Sequence, residues 1–184
     1  MSGSEAHHQP SPDPWNYERS DYERAKYDAT LAACGDGPFK SALELGGSIG
    51  VFTEMLAPRC STLVTIDVSR TAASMARRRL ADLPHVRVIH GAIPDAVPDQ
   101  KFDLIVASEI LYYLSPDELE RTLVLIRSRL ITGGKLVAVH WRPAGRERPL
   151  TARDVHERLR DDPWLEPVHR DEAGIYLLDS FKRG

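Results

Sequence analysis

Two features of the sequence are spaced as a nucleoside-binding site requires. The segment Gly46-Gly47-Ser48-Ile49-Gly50 holds three glycines directly after an apolar stretch. Glycines let the backbone approach a ligand closely because they carry no side chain. Asp67 follows 21 positions after Gly46, where doubly wound sheets place a carboxylate that accepts hydrogen bonds from ribose hydroxyls. Together they predict a pocket for a ligand that contains a nucleoside.

The spacing of the glycines argues against one large class of nucleotide ligands. The dinucleotide fingerprint of NAD-binding proteins requires glycines at offsets zero, two and five, whereas offset five from Gly46 is Val51. Two simpler interpretations stay open at this stage. The glycine segment can be a turn that binds nothing, and Asp67 can cap the helix that begins near Ser69.

A second group of reactive side chains lies near the ends of two later apolar stretches. Histidine titrates in the range needed to remove a proton from an amine or a hydroxyl, so His140 is our first candidate for a general base. The other catalytic candidates are Glu109 and Tyr113. Both residues also have a purely structural interpretation. His140 can be a buried, hydrogen-bonded residue, and Glu109 can be an exposed carboxylate at a helix start.

Hydrophobic periodicity predicts the elements that would bring these groups together. Strands are predicted at 41–45, 62–66, 86–90, 102–107 and 135–141, and helices at 17–33, 51–56, 70–83 and 116–130, the last capped by Ser115 and ended near Gly133-Gly134. A helix at 151–160 and strands at 165–169 and 175–181, paired as an antiparallel edge hairpin, follow. This alternation predicts an α/β, doubly wound, mostly parallel sheet of seven strands. Such sheets bind ligands outside the carboxyl ends of their strands, which would gather Gly46, Asp67, Ala92, Ser108 and His140.

Composition limits the class of protein. The 184 residues suit one domain, predicted at 15–184, behind a polar, disordered tail at 1–14. A net charge of −3 offers no obvious track for phosphates, and no apolar run is long enough to span a membrane, so neither a nucleic acid nor a membrane is an expected partner. The histidines of the last third match no compact metal motif, and two cysteines are too few for a disulfide scaffold. The expectation is a cytoplasmic protein without a metal.

Longer motifs resemble those of a known family. Glu44-Leu45-Gly46-Gly47-Ser48-Ile49-Gly50 resembles the acid-x-Gly-x-Gly-x-Gly loop of class I S-adenosylmethionine-dependent methyltransferases, with Ser48 in place of the middle glycine. From Asp13 to Arg183 the chain is most similar to the nodulation N-methyltransferase (NodS-like) family. The segments that carry this resemblance are Asp13-Pro14-Trp15 with Tyr22-Glu23 and Lys26-Tyr27, Ser108 to Leu114, and Val139-His140-Trp141-Arg142 with Leu150-Thr151 and Asp154-Val155-His156.

The resemblance implies a Rossmann-like fold, S-adenosylmethionine as the cofactor and S-adenosylhomocysteine as its product. It implies methyl transfer to an amine, in the namesake the free amino group of a de-N-acetylated glucosamine on a chitin oligosaccharide, so a small-molecule acceptor such as an amino sugar is expected. The first helix would be a lid, with the cofactor's carboxylate as a partner of Lys26 or Arg24. The family's adenine-binding acid is replaced by Ala92-Ile93, which leaves adenine to backbone or packing contacts, or to Asp95. The expected cofactor-binding residues are Tyr22, Lys26, Gly46, Gly47, Ser48, Gly50, Asp67, Val68, Ala92, Ile93 and Ser108, and the expected acceptor-binding residues are Tyr112, Trp141 and His156.

Other functions stay open on the sequence. A small-molecule O-methyltransferase would use the same residues, because His140 could equally deprotonate a hydroxyl. A non-catalytic nucleotide-binding module would keep the glycine segment and Asp67 and would need no base. A nucleic-acid amino methyltransferase is disfavoured, since Ser108-Glu109-Ile110-Leu111 lacks the Asn/Asp-Pro-Pro-aromatic motif of that family. The exact acceptor and the oligomeric state are not predicted.

Overall fold

The computed structural model describes residues 21–143, 148–172 and 174–184. The predicted tail, 1–14, and the start of the predicted first helix, 17–20, lie outside the described residues. The helices are α1 (Asp21–Cys34), α2 (Val51–Leu56), α3 (Arg70–Arg79), α4 (Pro116–Arg129) and α5 (Ala152–Arg160). The strands are β1 (Ala42–Leu45), β2 (Leu63–Asp67), β3 (Val86–His90), β4 (Phe102–Ser108), β5 (Leu130–Trp141), β6 (Leu165–Asp171) and β7 (Tyr176–Arg183).

The seven strands form one sheet in the order β3-β2-β1-β4-β5-β7-β6. Strands β1 to β5 run parallel, β7 is antiparallel to β5, and β6 is antiparallel to β7. The predicted doubly wound, mostly parallel sheet with a C-terminal antiparallel hairpin is therefore confirmed. The strand order reverses between β1 and β4, and open α/β sheets bind their ligands in the crevice at such a switch point.

Apolar side chains cover both faces of the sheet. Leu43 of β1 belongs to a buried cluster that includes Leu123 of α4, whereas the preceding residue Ala42 belongs to a second cluster with Tyr27 of α1 and Phe52 of α2. Successive residues of a strand point to opposite faces, so the two clusters are the two faces of the sheet. Because β1 is buried on both sides, its sequence is almost continuously apolar.

Two predicted helix ends are wrong. The helix predicted at 70–83 ends at Arg79, because Leu80 leaves helical geometry and its carbonyl accepts a hydrogen bond from the Leu83 amide in a turn. The helix predicted at 116–130 begins at Pro116 and is capped by Ser115 as expected, yet Gly133-Gly134 do not end it. It ends at Arg129 because Leu130 is buried and pairs with Phe102, so the glycines lie inside β5, where the register against β4 shifts.

Candidate active site

The glycine loop between β1 and α2 has room for backbone only. Gly46 has a φ of +81°, a left-handed conformation that favours glycine. The amides of Gly46 and Gly47 both donate to the Ile66 carbonyl of β2, at 2.9 and 3.1 Å. A Cβ at Gly47 would lie 1.8 Å from the Thr65 hydroxyl oxygen. The loop therefore lies flat against β2, and its backbone forms part of the wall of a cavity at the carboxyl end of β1.

Gly50 has a different role from the one predicted. It precedes α2 with a φ of +85°, and a Cβ there would lie 3.1 to 3.3 Å from atoms of Ala76 and Leu80 in and just after α3. Gly50 therefore permits close packing of the loop on α3, and it is not among the residues that line the cavity. The prediction that it contacts a cofactor directly is not supported by its position, because its open side faces a helix.

Glu44 is a site residue to which the sequence interpretation gave no role. Its carboxylate is buried in the floor of the cavity and accepts a hydrogen bond from the Thr53 hydroxyl at 2.5 Å. Burial raises the pKa of Glu44 to about 7, although the Thr53 hydroxyl opposes this. The acidic first position of the glycine motif was the signal that could have identified it, since that position is part of the same segment.

Asp67 serves the glycine loop and the next helix at the same time. One carboxylate oxygen accepts the Ser48 amide at 2.8 Å and the other accepts the Ser69 amide at 2.8 Å. Ser69 itself caps α3 through its side chain, as predicted. Each carboxylate oxygen has a second lone pair, so Asp67 keeps two acceptor positions for a ligand. Beside it, the Val68 side chain is 64% exposed and offers apolar surface.

The segment after β3 offers no charged group for adenine. Ala92 is exposed and Ile93 packs partly against the core. Asp95, the alternative candidate, forms an exposed ion pair with Arg121 at 2.8 Å. Any contact of this segment with an adenine ring would therefore come from Ala92, Ile93 or the backbone.

Glu109 lies directly after β4 and is held by three donors. Its Oε1 accepts the Lys26 ammonium at 2.8 Å, and its Oε2 accepts the Trp141 amide at 3.0 Å and the Tyr112 hydroxyl. The residue has a φ of +55°, which is uncommon for a side chain with a Cβ and is maintained by surrounding contacts. Its side chain is 18% exposed and lines the same cavity as the glycine loop. The predicted catalytic candidate therefore lies beside the predicted cofactor loop.

Helix α1 is docked on this cavity. Lys26, predicted to hold a cofactor carboxylate, is only 2% exposed and forms ion pairs with Glu109 and Glu23, each at 2.8 Å, while Arg24 is exposed. Tyr22 packs against Tyr176 of β7. The Lys26–Glu109 pair therefore ties the helix to the end of β4, a contact that the four-residue spacing alone does not predict.

The cavity beneath α1 has a volume of about 30 Å³. Its lining includes Gly46, Gly47 and Ser48 of the loop together with Ser108 and Glu109. A volume of this size holds about one or two water molecules, and Asp67 and Val68 are not among the residues that line it.

The structure contradicts the prediction that His140 is a general base. Its ring is fully buried, Nε2 accepts the Leu111 amide at 3.2 Å, and Nδ1 lies 2.9 Å from Nε2 of His156. Both nitrogens are occupied by protein groups, so neither can take a proton from an acceptor. The prediction of His156 as an acceptor-binding residue is wrong for the same reason, since it is fully buried between His140 and Asp179.

The predicted aromatic residues group around an arginine. Tyr112 is buried, Tyr113 is 45% exposed and Trp141 is partly exposed. The guanidinium carbon of Arg148 lies 4.1, 5.7 and 5.2 Å from the ring centroids of Tyr112, Tyr113 and Trp141. The sequence interpretation missed Arg148, and no spacing rule would have found it, because it reaches these rings from a separate segment. The cluster places stacking surface beside Glu109.

Two further findings concern the described residues alone. Within 21–143, 148–172 and 174–184, no three His, Cys, Asp or Glu side chains are grouped as metal ligands. No helix in this part of the chain is both long and apolar enough to cross a membrane.

Comparison with known proteins identifies a family. The model of the Nodulation protein S (NodS) family matches residues 7–140. Nodulation protein S of Rhizobium tropici is 35% identical over 138 residues, which cover 74% of this chain and 58% of that protein. Nodulation protein S of Sinorhizobium fredii is 37% identical over 113 residues, covering 61% of this chain and 52% of that protein. The chain thus spans about half the length of the curated relatives it matches.

A solved structure gives a longer match. The N-methyltransferase NodS of Bradyrhizobium japonicum WM9, crystallised in complex with S-adenosyl-l-homocysteine, is 29% identical and superposes with a TM-score of 0.85. The match covers 93% of this chain and 92% of that chain.

Proposed function

The chain belongs to the Nodulation protein S (NodS) family, and from this membership we propose that it is an S-adenosylmethionine-dependent methyltransferase acting on a free amine of a small molecule such as an amino sugar. The observation that carries the proposal is the position of Glu109, an anionic side chain in the same cavity as the glycine loop. The relatives support the cofactor class, and the contacts described above support the roles that we propose for individual residues.

The residues on the cofactor side fit S-adenosylmethionine. Asp67 has two acceptor positions left for the two ribose hydroxyls, and exposed Val68 offers a face on which an adenine ring can pack. Gly46 and Gly47 leave no side chains between the loop backbone and a ligand. The cofactor, when bound, supplies a methyl group on a positively charged sulfonium. A cation in this cavity would favour the ionised form of Glu44, whose burial otherwise favours the neutral acid.

Glu109 would act on the acceptor amine. Among the described residues its Oε1 accepts only the Lys26 ammonium, and so it keeps a lone pair for one more N–H donor. As the neutral amine attacks, the sulfonium–carbon bond breaks, a nitrogen–carbon bond forms, and positive charge develops on the nitrogen. A fixed carboxylate that accepts the amine's N–H stabilises that charge where it develops. Tyr112 and the Trp141 amide hold the other oxygen, so the carboxylate is oriented before the acceptor arrives.

Helix α1 would act as a lid. The helix covers the space beside the glycine loop, and the Lys26–Glu109 pair is a contact that movement of the helix would break. The Tyr22 hydroxyl is buried and has no hydrogen-bond partner among the described residues. Burial, with Glu109 nearby, raises the pKa of Tyr22 well above its usual value, so the hydroxyl stays a proton donor. A bound ligand would give that donor an acceptor.

The test is an assay of methyl transfer with isotopically labelled S-adenosylmethionine. Acceptors would be glucosamine and a partly de-N-acetylated chitin oligosaccharide, with N-acetylglucosamine and glucose as matched compounds that lack the amine. We expect label on the two amines and none on the matched compounds, read by mass spectrometry. Label on hydroxyls of all four sugars would identify an O-methyltransferase. Binding of S-adenosylhomocysteine without transfer to any amine or hydroxyl would support a non-catalytic module instead.

A further inference from the structure

A chain of buried polar side chains runs behind the end of β5. The Leu111 amide lies 3.2 Å from Nε2 of His140, Nδ1 of His140 lies 2.9 Å from Nε2 of His156, and Nδ1 of His156 lies 2.8 Å from the Asp179 carboxylate. Arg160 closes the far end, where its Nε donates to Asp179 at 3.0 Å. The imidazole rings are fully buried and Asp179 is 3% exposed. The proposed reaction uses none of these groups directly.

The position of every proton in this series of hydrogen bonds follows from its first donor, the Leu111 amide. A backbone amide can only donate, so Nε2 of His140 must accept and the proton of its neutral ring lies on Nδ1. That proton is donated to Nε2 of His156, whose own proton then lies on Nδ1 and is donated to Asp179. Each imidazole is thus fixed in one neutral tautomer, with both nitrogens hydrogen bonded.

Burial supports the neutral state of His140. Burial, with the nearby positive charges of Lys26 and Arg148, holds the pKa of His140 well below its usual range. A protonated His140 would carry hydrogen on both nitrogens and would oppose the Leu111 amide with a second donor. The neutral ring is therefore the form that accepts the Leu111 amide.

We infer that His140, fixed by His156 and Asp179, is a positioning residue that holds Glu109 in place through the turn Leu111–Tyr113. Leu111 begins this 3₁₀ turn, and Tyr112, its middle residue, donates its hydroxyl to Glu109. The His140 ring also packs edge-on against the Tyr112 ring, with centroids 5.0 Å apart. The inference rests on the proposed function, since it assigns Glu109 to the acceptor amine.

The turn needs this support because it follows Glu109, a residue with an unfavourable backbone conformation. Glu109 has a φ of +55°, and such a conformation in a residue with a Cβ persists only when its surroundings impose it. The Glu109 amide is bonded to the Val139 carbonyl of β5, and two residues later the Leu111 amide is bonded to His140 of the same strand. β5 therefore fixes both sides of Glu109, once through its backbone and once through the His140 side chain.

A first experiment locates the protons on His140 and His156 without any assay of activity. Nitrogen-15 NMR of the wild-type imidazoles should show both His140 and His156 neutral, each with its proton on Nδ1. Amide exchange at Leu111 should be slow in the wild type and in His140→Gln, whose amide oxygen can replace Nε2 as acceptor, and at least about tenfold faster in His140→Leu, in which the bond is lost. A wild-type proton on Nε2 of His140, or equal Leu111 protection in His140→Leu, would overturn the inference.

A second experiment separates positioning from proton removal. At saturating S-adenosylmethionine, His140→Gln should keep kcat within about threefold, whereas His140→Leu should lose about tenfold or more, with the affinity for S-adenosylhomocysteine unchanged in both. His140→Asn, which keeps a donor towards His156 but no acceptor for Leu111, should behave like His140→Leu and serves if the leucine variant does not fold. A glutamine variant as inactive as the others, with its Leu111 amide still protected, would show that His140 itself moves a proton. Absence of methyl transfer by the wild type would count against the proposed function, while the NMR result would still decide the proton positions.

Discussion

The two halves of the cleft are built in different ways. The half that we propose binds the cofactor, the cofactor half, consists of the loop 46–50 and Asp67, and its main contacts are backbone amides hydrogen bonded to groups on the adjacent strand or at its end. The half that we propose binds the acceptor, the acceptor half, consists of Glu109, the turn Leu111–Tyr113 and Trp141. Side chains from α1, β5 and the segment after β5 determine its geometry. A local sequence motif can specify the first half, whereas the second depends on contacts between residues distant in the chain.

The largest effect that should separate the two halves is on turnover. Glu109→Gln keeps acceptors for Tyr112 and Trp141 but removes the negative charge, so kcat at saturating cofactor should fall by about 10²- to 10⁴-fold. The matched variant is Lys26→Met, which breaks the same ion pair and leaves the carboxylate, and it should cost about tenfold or less. Initial rates on glucosamine would measure both. Equal losses in the two variants would mean that the ion pair, and not the carboxylate, is what the reaction needs.

The next effect concerns the pH dependence of stability in the cofactor half. The folded pKa of Glu44, about 7, lies above its value of 4.5 in the unfolded chain, so its stabilising contribution is complete below pH 4.5 and is lost as the pH rises through 7. Between pH 4.5 and pH 7 the free energy of unfolding falls by about 3 kcal/mol from this group. Glu44→Gln should therefore unfold like the wild type at pH 4 and be more stable at pH 8.

A surface glutamate provides the control of opposite sign. Hydrogen bonds from the Ser115 backbone and side chain lower the pKa of Glu118, so its contribution is present above its unfolded value and is lost as the pH falls. Glu118→Gln should therefore lose stability at neutral pH and little at acid pH. Urea denaturation of the three proteins at pH 4 and pH 8 would measure this, and a Glu44→Gln advantage independent of pH would contradict the raised pKa.

A smaller effect tests why Gly50 is glycine. Alanine at Gly50 would combine a left-handed φ with contacts of 3.1 to 3.3 Å to Ala76 and Leu80. Gly133 is the matched position, because its φ is +78° while a Cβ there meets only Lys182 at 3.7 Å. Both alanine variants should lose about 1–2 kcal/mol from the backbone conformation, and Gly50→Ala about 1–3 kcal/mol more from crowding. Equal free energies of unfolding in the two variants would show that α3 moves aside without cost.

Sequence reasoning succeeded where one element contains both partners of an interaction. The mostly parallel sheet followed from alternating apolar strands and helices, and the Ser69 and Ser115 caps followed from residue type at a helix start. It failed for His140, because the sequence pattern around a histidine at a strand end is the same whether its ring faces a cleft or a neighbouring helix. The partner that decides this, His156, lies 16 residues away on α5.

The same limit explains Lys26 and Gly50. Lys26 has the helical spacing expected of a ligand contact, and in the structure it pairs with Glu23 on its own helix and with Glu109, which is 83 residues away. Gly50 belongs to the motif, but the position must be glycine because α3 packs against it. In each case the sequence showed a constraint without showing which neighbour imposes it.

The central claim is that the cofactor half binds the cofactor and the acceptor half does not contribute to that binding. Isothermal titration of S-adenosylhomocysteine into the wild type, Asp67→Asn and Glu109→Gln tests it most directly. Asp67→Asn keeps the shape but loses the charged acceptor of the ribose hydroxyls, which is worth about 1.5–3 kcal/mol, so its Kd should rise by about 10- to 100-fold. Glu109→Gln should bind within about threefold of the wild type. An unchanged Kd in Asp67→Asn, or an equally large rise in Glu109→Gln, would contradict the division of the cleft.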